Sequence, residues 1–448
     1  MPKIIFLNGV NDDGMGDFYH FVDIYTALKT NPKFDDYEFI CLIACYPHQY
    51  TSIKKQLDEL QINPDHYVLG LWSSFREEFL KNEKIVKHFS EAEQILQISY
   101  SNFPSIEEYL NLNKKASYKF IPEHEFGNFS RPGSKGAVYS LGLGSDCLGV
   151  KLKAISRLTP YEAMAGMQKA GSDFPNILLE NTESKDIKEF VDKNILIPAY
   201  FNKMRDFLSF LYLLGANKTG LVNKDLAVFV SGAGLREKEY GESFEKELKK
   251  REPKLNDLSD FAFWFRIDSS ILKETSINKV ELIENGKQPV VLRINPEGSR
   301  KIRVFYGYFL DKESYQATYR QAFIAGVSGD NSLELAISCQ TLPWYCSTNS
   351  TRKINTNLAL VDLINRNIMD EKIKKDFERF FFNKSAQSTE STKDQLDLPN
   401  MALYWMAVAE YLIRNRNFYN ELERIMLDNS CAIQEDNSFE GDQPSYSA

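Results

Sequence analysis

The chain has 448 residues, which at about 150 residues per domain is enough for two or three domains. Hydrophobic residues make up 43% and charged residues 26%, and these values exclude a fibrous or a globally disordered chain. The 54 Lys and Arg residues against 62 Asp and Glu residues give a net charge of −8, and the basic residues are scattered. This balance argues against a protein that binds nucleic acid.

The sequence also lacks the signals of export, of a membrane span and of a metal site. No apolar segment approaches the about 20 residues that a bilayer-spanning helix needs, and the nearest, Met401 to Ala409, ends at Glu410. The N-terminal residues continue directly into a strand-like sequence without the pattern of a cleavable leader. The cysteines form no C-x-x-C pair, and the histidines are not spaced as zinc ligands. We therefore expect a cytoplasmic protein without a transmembrane segment, with reduced thiols, and without a metal or other cofactor.

Short apolar runs alternate with amphipathic helices in the first half of the chain. The spacing of apolar residues predicts a strand over Lys3–Val10, a helix over Asp17–Leu28 and a second strand over Tyr37–Tyr46. Further strands are predicted at Tyr67–Leu71, Gln94–Tyr100, Tyr118–Pro122 and Ala137–Leu143, with helices at Glu77–Phe89 and Ile106–Leu112. Strands separated by helices need crossover connections, so we expect a parallel sheet with helices on both faces.

A similar order follows in the second half, after a helical stretch predicted from Lys185 to Leu214. A strand is predicted at Asp225–Ser231 and leads into Gly232-Ala-Gly234. The elements predicted after it are a helix at Glu242–Lys250, strands at Phe261–Ile267, Pro289–Ile294 and Arg303–Tyr308, and helices at Lys312–Ala322, Ser332–Cys339, Asn355–Phe382 and Leu398–Leu427.

This order predicts an α/β protein with two Rossmann-like domains that face a cleft, followed by C-terminal helices. We place the N-terminal α/β domain at residues 1–190 and the second α/β domain at 191–384. Residues 385–428 are predicted to form a loop and a C-terminal helix that packs back across the domains. Residues 429–448 are rich in acidic side chains and are predicted to be a disordered tail.

The first candidate site follows the first strand, in the segment from Asn11 to His20. Gly14 and Gly16 let the backbone approach a bound group, and the start of a helix favours a negative or oxygen-rich ligand. The G-x-G-x-x-G pattern fails because Tyr19 replaces the third glycine, which disfavours a dinucleotide-dependent dehydrogenase. The three aspartates suit general-base work or hydrogen bonds to hydroxyl groups, although they could also serve only as helix caps.

The second candidate site is a turn that opens a late helix. The residues Ser328, Gly329, Asp330, Asn331 and Ser332 follow a strand-like entry and would form a cradle of main-chain N–H groups and hydroxyls for a phosphate or a ribose. The alternative is an ordinary helix N-cap.

Together, the two motifs resemble those of GT-B glycosyltransferases, and the most similar pattern is that of the bacterial protein-arginine rhamnosyltransferases. Asp13-x-x-Gly16-Asp17 resembles the D-N-F-G-D motif of that family, Tyr308-Phe309-Leu310 resembles its P-F-L segment, and Gly329-Asp330-Asn331-Ser332-Leu333 resembles its G-E-D-S-F motif. The resemblance covers two short blocks of the chain. Asn331 stands where the family has an acid, and Asp12 and His20 have no counterpart in it.

The resemblance implies roles for these residues. Asp13 and Asp17 would be catalytic, Phe309 would stack on the nucleobase of the donor, and Asp330 and Ser332 would contact its ribose and diphosphate. For Phe309 the alternative is a core ring at the end of a strand. Acceptor identity does not transfer from the family, although a protein acceptor is one candidate.

Two further groups complete the predicted site. Gly232, Gly234 and Arg236 follow the first predicted strand of the second domain, where donor phosphate often binds in GT-B proteins, and Arg236 would pair with it. Glu123 and His124 end a candidate strand, and with Gly14, Gly16 and His20 they form the predicted acceptor side.

We therefore expect an inverting, metal-independent glycosyltransferase that moves a sugar from a nucleoside-diphosphate sugar to an acceptor. Two alternatives stay open. A sugar-nucleotide epimerase on the same fold would depend more on Glu123 or His124 than on Asp13. A non-catalytic binding or scaffold protein would have the fold without the chemistry.

Overall fold

The structure is a computed structural model that describes residues 1–12, 15–74, 81–99, 106–122, 131–133, 136–143, 147–201, 204–216, 224–231, 276–293, 295–345, 351–382 and 396–428. The chain divides into two compact units. Unit 1 comprises Met1–Val150 and Phe418–Ala448, and unit 2 comprises Lys151–Asn417. The boundary predicted at residue 190 differs from this division, which assigns residues 151–190 to unit 2. The predicted acidic tail, 429–448, lies outside the described residues.

Unit 1 contains one seven-stranded sheet. Its strands are β1 (Lys3–Gly9), β2 (Glu38–Cys45), β3 (Tyr67–Leu71), β4 (Gln94–Ser99), β5 (Ser117–Pro122), β6 (Arg131–Gly133) and β7 (Gly136–Val138). Their order in the sheet is β3-β2-β1-β4-β5-β7-β6, and all neighbours are parallel except the β6–β7 pair. Nearly every residue of β1 and β2 is buried, because helices cover both faces of a parallel sheet.

Unit 2 contains a second seven-stranded sheet. Its strands are β8 (Asn194–Tyr200), β9 (Asp225–Ser231), β10 (Ile277–Glu284), β11 (Val290–Arg293), β12 (Arg300–Tyr306), β13 (Ile324–Val327) and β14 (Leu342–Tyr345). They lie in the order β11-β10-β12-β9-β8-β13-β14, and only the β10–β11 pair is antiparallel. Leu226, Val228 and the other apolar residues at the centre of β9 are buried.

Helices lie between these strands in several places and also follow the last strand. They are α1 (Gly16–Lys29), α2 (Pro47–Glu59), α3 (Glu83–Glu91), α4 (Ile106–Leu112), α5 (Pro160–Lys169), α6 (Phe174–Asn181), α7 (Ile187–Lys193), α8 (Met204–Ala216), α9 (Lys312–Gln321), α10 (Asp330–Ser338), α11 (Thr351–Asn367), α12 (Glu371–Phe382), α13 (Leu398–Asn415) and α14 (Phe418–Leu427). Helix α13 belongs to unit 2, whereas α14 belongs to unit 1.

The fold class predicted from the sequence is confirmed: the chain is α/β, with two mostly parallel sheets and helices at its C-terminal end. The apolar stripe predicted for the first helix is also present, since Phe18, Phe21 and Leu28 of α1 are buried. The ring of Phe21 lies 6.0 Å from that of Phe6 in β1, and this contact joins the helix to the sheet.

The prediction of an unbroken helical stretch from Lys185 to Leu214 is wrong. Helix α7 ends at Lys193, and β8 runs from Asn194 to Tyr200 in the middle of the second sheet. Pro198 obscured this strand, because proline cannot donate to a neighbouring strand and is rare in central positions. The burial of Ile195, Leu196 and Ile197 between helical layers gives the segment its stability as a strand.

Other differences concern single elements. The sequence did not predict α2, α5, α6 or β10, and the strand predicted over Ala137–Leu143 is limited to β7. The helix predicted at Glu242–Lys250 and the strand at Phe261–Ile267 lie outside the described residues.

Gly326 in the second sheet is closely surrounded by aromatic rings. A Cβ atom on Gly326 in β13 would lie 2.5 Å from Cζ of Phe201 and 2.9 Å from Cδ1 of Phe210. Both rings pack against Trp344, with centroids 5.9 and 5.6 Å away, so neither can retreat easily. We expect Gly326→Ala to lower the free energy of unfolding by about 1–3 kcal/mol, measured by urea denaturation.

Gly166 is the matched control for that substitution, because a Cβ atom there would meet no atom within 4 Å. It lies inside α5, where alanine is the better helix former, so Gly166→Ala should raise stability by about 0.5–1 kcal/mol. Equal stability of Gly326→Ala and the wild type would contradict the packing around β13.

Candidate functional site

In unit 2, the strand order reverses between β8 and β13. From β8 the chain continues to β9, β10, β11 and β12, which all lie on one side of β8, and it returns to the other side of β8 with β13 and β14. At such a reversal the connections leave the two neighbouring strands in opposite directions, and ligands of open α/β sheets bind beside the carboxyl ends of those strands. Tyr200 ends β8 and Val327 ends β13, so the segment Ser328–Ser332 begins at this reversal.

The predicted second motif forms the start of α10 at this place. Gly329 is the N-cap residue, and its carbonyl oxygen accepts hydrogen bonds from the Ser332 hydroxyl at 2.6 Å and from the Leu333 N–H at 3.0 Å. The Gly329 N–H donates back to the Ser332 Oγ at 3.3 Å. The Ser332 hydroxyl at N3 therefore closes the first turn, and the N-cap residue is a glycine, whereas the N-cap alternative expects an Asn or Ser there. The first N–H groups of a helix have no acceptor within the helix, which makes this end suited to an anion.

Tyr200 lies directly against this turn. A Cβ atom on Gly329 would be 3.1 Å from Cε1 of Tyr200, so the end of β8 and the start of α10 approach each other closely. Ser328, between β13 and the turn, is buried, whereas Asn331 is exposed. The close approach explains the need for a small residue at position 329.

Asp330 is held by a side chain that the sequence analysis did not assign to the site. The Tyr345 hydroxyl, at the end of β14, donates a hydrogen bond to Oδ1 of Asp330 at 2.5 Å. Burial, followed by the charge of Asp330, raises the pKa of Tyr345, so this hydroxyl stays protonated as a donor. Nothing local in the sequence pairs Tyr345 with Asp330, because the two residues lie 15 positions apart in the chain.

A buried ion pair supports the next turn of α10. The Lys151 N–H donates to Oε1 of Glu334 at 3.0 Å, and the Lys151 ammonium lies 3.8 Å from Oε2 of the same carboxylate. Both side chains are almost fully buried. Glu334 therefore ties the first residue of unit 2 to the helix that carries the candidate site.

Phe309 follows the carboxyl end of β12 and is 84% exposed. Its neighbour Tyr308 is half-buried, with its ring 6.4 Å from that of Phe174. The alternative of a core ring at position 309 is therefore excluded, and the core contact belongs to Tyr308.

The hydroxyl groups of Ser231, at the end of β9, and of Tyr315 and Tyr319, in α9, form a hydrogen-bonded group in the same unit. The hydroxyl oxygens of Tyr315 and Tyr319 lie 3.0 Å apart, and the Ser231 side chain hydrogen-bonds Tyr315. Burial raises the pKa of both tyrosines. Ser231 is the last residue of β9, so the predicted donor residues Gly232, Gly234 and Arg236 follow it in sequence, but they lie outside the described residues.

In unit 1, the strand order reverses between β1 and β4, and the predicted first motif follows β1. Asp17 in the first turn of α1 is 3% exposed. Its Oδ2 accepts a hydrogen bond from the Asn11 N–H at 2.9 Å, and its carbonyl oxygen accepts from Asn8 Nδ2 at 3.2 Å. The carboxylate therefore shapes the turn between β1 and α1. Asp13 and Gly14 lie outside the described residues.

The other predicted acceptor-side residues differ in their surroundings. His20 is 1% exposed, and its ring lies 6.4 Å from that of Phe418 in α14, which places it inside unit 1. A Cβ atom on Gly16 would meet no atom within 4 Å, so the fold itself does not require glycine there. Glu123 and His124 follow the end of β5 and lie outside the described residues.

Two features are absent from the residues that the structure describes. In these parts of the chain, no group of three or more His, Cys, Asp or Glu side chains is arranged to hold a metal ion. Within the same ranges, no helix combines the length and the apolar character needed to cross a bilayer.

The comparisons with known proteins give similarity only at the level of structure. No protein-family model and no curated protein matches the chain. Similar solved structures include the trehalose-6-phosphate phosphatase N-terminal domain from Candida albicans, with 10% identity, 96% of each chain covered and a TM-score of 0.43. UDP-GlcNAc 2-epimerase from Methanocaldococcus jannaschii has 11% identity over 92% of this chain and 100% of its own, with a TM-score of 0.35.

A third similar structure is the UDP-forming α,α-trehalose-phosphate synthase from Burkholderia xenovorans in complex with glucose-6-phosphate. It has 9% identity over 92% of this chain and 78% of its own, with a TM-score of 0.27. At these values the function of the protein has to be argued from its own residues.

Proposed function

We propose that this protein is a glycosyltransferase that takes a sugar from a nucleoside-diphosphate sugar, with inversion and without a metal or other cofactor. The observation that carries the proposal is the start of α10 beside the reversal between β8 and β13 in unit 2. A helix N-terminus at this position of an open α/β sheet suits a diphosphate.

The residues of unit 2 suggest how the donor would lie. The main-chain N–H groups of residues 330–332 would bind the diphosphate. The Asp330 carboxylate, whose Oδ1 accepts from the Tyr345 hydroxyl, would also accept a hydrogen bond from a ribose hydroxyl. The exposed ring of Phe309 would stack on the nucleobase, and Arg236 would neutralise phosphate charge.

For the acceptor, we assign the two aspartates of unit 1 different roles. Asp17 is buried and accepts the Asn11 N–H, which suits a residue that positions the turn. Asp13 is then the base that takes the proton from the acceptor nucleophile as this nucleophile bonds to the anomeric carbon. On the opposite face of the sugar the carbon–oxygen bond to the diphosphate breaks, and the nucleoside diphosphate leaves. The proposal includes a cytoplasmic location. It does not specify the acceptor, for which a protein is one candidate.

The first experiment is a calorimetric titration of the full chain with UDP, dTDP and GDP and with the nucleotide sugars of each of them. Binding of one nucleotide family and slow release of its sugar would support the proposal. No binding of any of them would overturn it and favour a scaffold protein, and an isomerised sugar nucleotide would overturn it in favour of an epimerase.

Asp13→Asn and Asp17→Asn then separate the roles of the two aspartates. Asp13→Asn should slow the rate of sugar release about 100-fold or more and leave donor binding unchanged, because it removes the base. Asp17→Asn keeps an oxygen for the Asn11 N–H and should retain most activity. Full activity of Asp13→Asn would contradict the assignment.

A further inference from the structure

An exposed imidazole–carboxylate pair lies at the carboxyl edge of the sheet in unit 1. His48, the second residue of α2, follows β2, and Asp12 follows β1. His48 Nε2 lies 3.6 Å from Oδ1 of Asp12, and the two side chains are 61% and 62% exposed. An exposed pair contributes little to stability, so the fold itself does not account for these two groups.

Two aromatic rings continue from this pair. The Tyr46 ring stacks beside that of His48, with centroids 6.2 Å apart and an angle of 28° between the planes. The Trp72 ring follows, with its centroid 6.4 Å from that of Tyr46. Both Tyr46 and Trp72 are half-buried, so part of each remains accessible to a ligand.

Hydrogen bonds hold the main chain that carries Asp12 relative to the rings. Trp72 Nε1 donates to the carbonyl oxygen of Val10 at 2.8 Å, and Gln49 Nε2 donates to that of Asn11 at 2.6 Å. The Asp12 N–H donates to Oδ1 of Asn11 at 2.8 Å. The segment from Val10 to Asp12 is therefore held from both α2 and the end of β3, and its position is set before a ligand arrives.

We propose that Asp12, Tyr46, His48 and Trp72 form a binding site for a neutral saccharide ring. A carboxylate and an imidazole together accept and donate hydrogen bonds to neighbouring hydroxyl groups. The electron-rich faces of the aromatic rings suit the weakly positive C–H groups of a sugar. None of the four residues is a permanent cation, so they do not suit a phosphate. The imidazole already faces the Asp12 carboxylate, which disfavours a guanidinium as the ligand.

Only the identification of this saccharide as the acceptor rests on the proposed function. Saccharide binding is measured without a nucleotide, by saturation-transfer NMR of the full chain with methyl α-glucopyranoside, N-acetylglucosamine and maltose. We expect at least one of the three to bind in the millimolar range. His48→Ala and Asp12→Asn should each weaken that binding about fivefold or more, with an unchanged melting temperature.

The chain offers a matched control in the same unit. His66 Nε2 lies 3.5 Å from Oε1 of Glu38, but this pair is at the amino edge of the sheet, before β3 and at the start of β2. His66→Ala should leave saccharide binding unchanged. Tyr46→Ala should weaken it, because half of the stacking surface is lost.

Three results would overturn the inference: binding of none of the three saccharides, equal binding by the wild type, His48→Ala and Asp12→Asn, or equal loss in His66→Ala. Tight binding of N-acetylarginine amide with no saccharide binding would also overturn it, in favour of a peptide acceptor. Nucleotide titration of the same samples tests the proposed function separately. If the protein binds saccharide but no nucleotide, the glycosyltransferase function is contradicted and the saccharide site is not.

Discussion

Phe309→Ala should weaken nucleotide binding about 5- to 150-fold and leave the melting temperature of the protein unchanged. Stacking of one base on an aromatic ring contributes about 1–3 kcal/mol, which corresponds to that range of Kd. The ring is exposed in the absence of ligand, so its removal takes away almost no packing within the protein. The measurement is the Kd of the nucleotide that binds in the calorimetric titration.

Two control variants are compared with Phe309→Ala. Tyr161 in α5 is another exposed aromatic residue of unit 2, and Tyr161→Ala should change neither Kd nor melting temperature. Tyr308→Ala should lower the melting temperature, because the Tyr308 ring contacts the rings of Phe174 and Phe305. An unchanged Kd in Phe309→Ala would exclude Phe309 as the base-stacking residue.

Glu334→Ala should lower the free energy of unfolding by about 3–5 kcal/mol, because it leaves the buried Lys151 ammonium without the facing carboxylate. It also removes the acceptor of the Lys151 N–H. The double variant Lys151→Met/Glu334→Leu should regain a large part of this loss, since apolar side chains of similar size avoid the desolvation of two charges. Urea denaturation of the wild type, Lys151→Met, Glu334→Leu and the double variant measures the coupling.

An exposed pair in unit 2 shows what burial contributes. Arg366 Nε donates to Oδ1 of Asp362 at 3.3 Å on α11, and both side chains are mostly exposed. Asp362→Ala should therefore cost less than about 0.5 kcal/mol. Similar losses in Glu334→Ala and Asp362→Ala would contradict a structural role for the Lys151–Glu334 pair.

Local patterns account for the parts of the fold that were predicted. The strands β1, β2 and β9 each contain a continuous apolar run, because parallel strands are covered on both faces: residues 4–7, 39–45 and 226–230. The sequence of α1 repeats its apolar residues with helical spacing. The turn at Gly329 could also be predicted from the sequence, because the strand, the glycine and the polar start of the helix follow one another in the chain.

The tertiary structure decided what depends on residues far apart in the chain. It made β8 an interior strand of the sheet in unit 2 despite Pro198, and it paired Asp330 with Tyr345 and Glu334 with Lys151. It also buried Asp17 and left Asp12 exposed, although the two aspartates lie in one short segment. Burial is a property of the packing around a side chain, and the atoms that pack there come from elements that no local pattern connects.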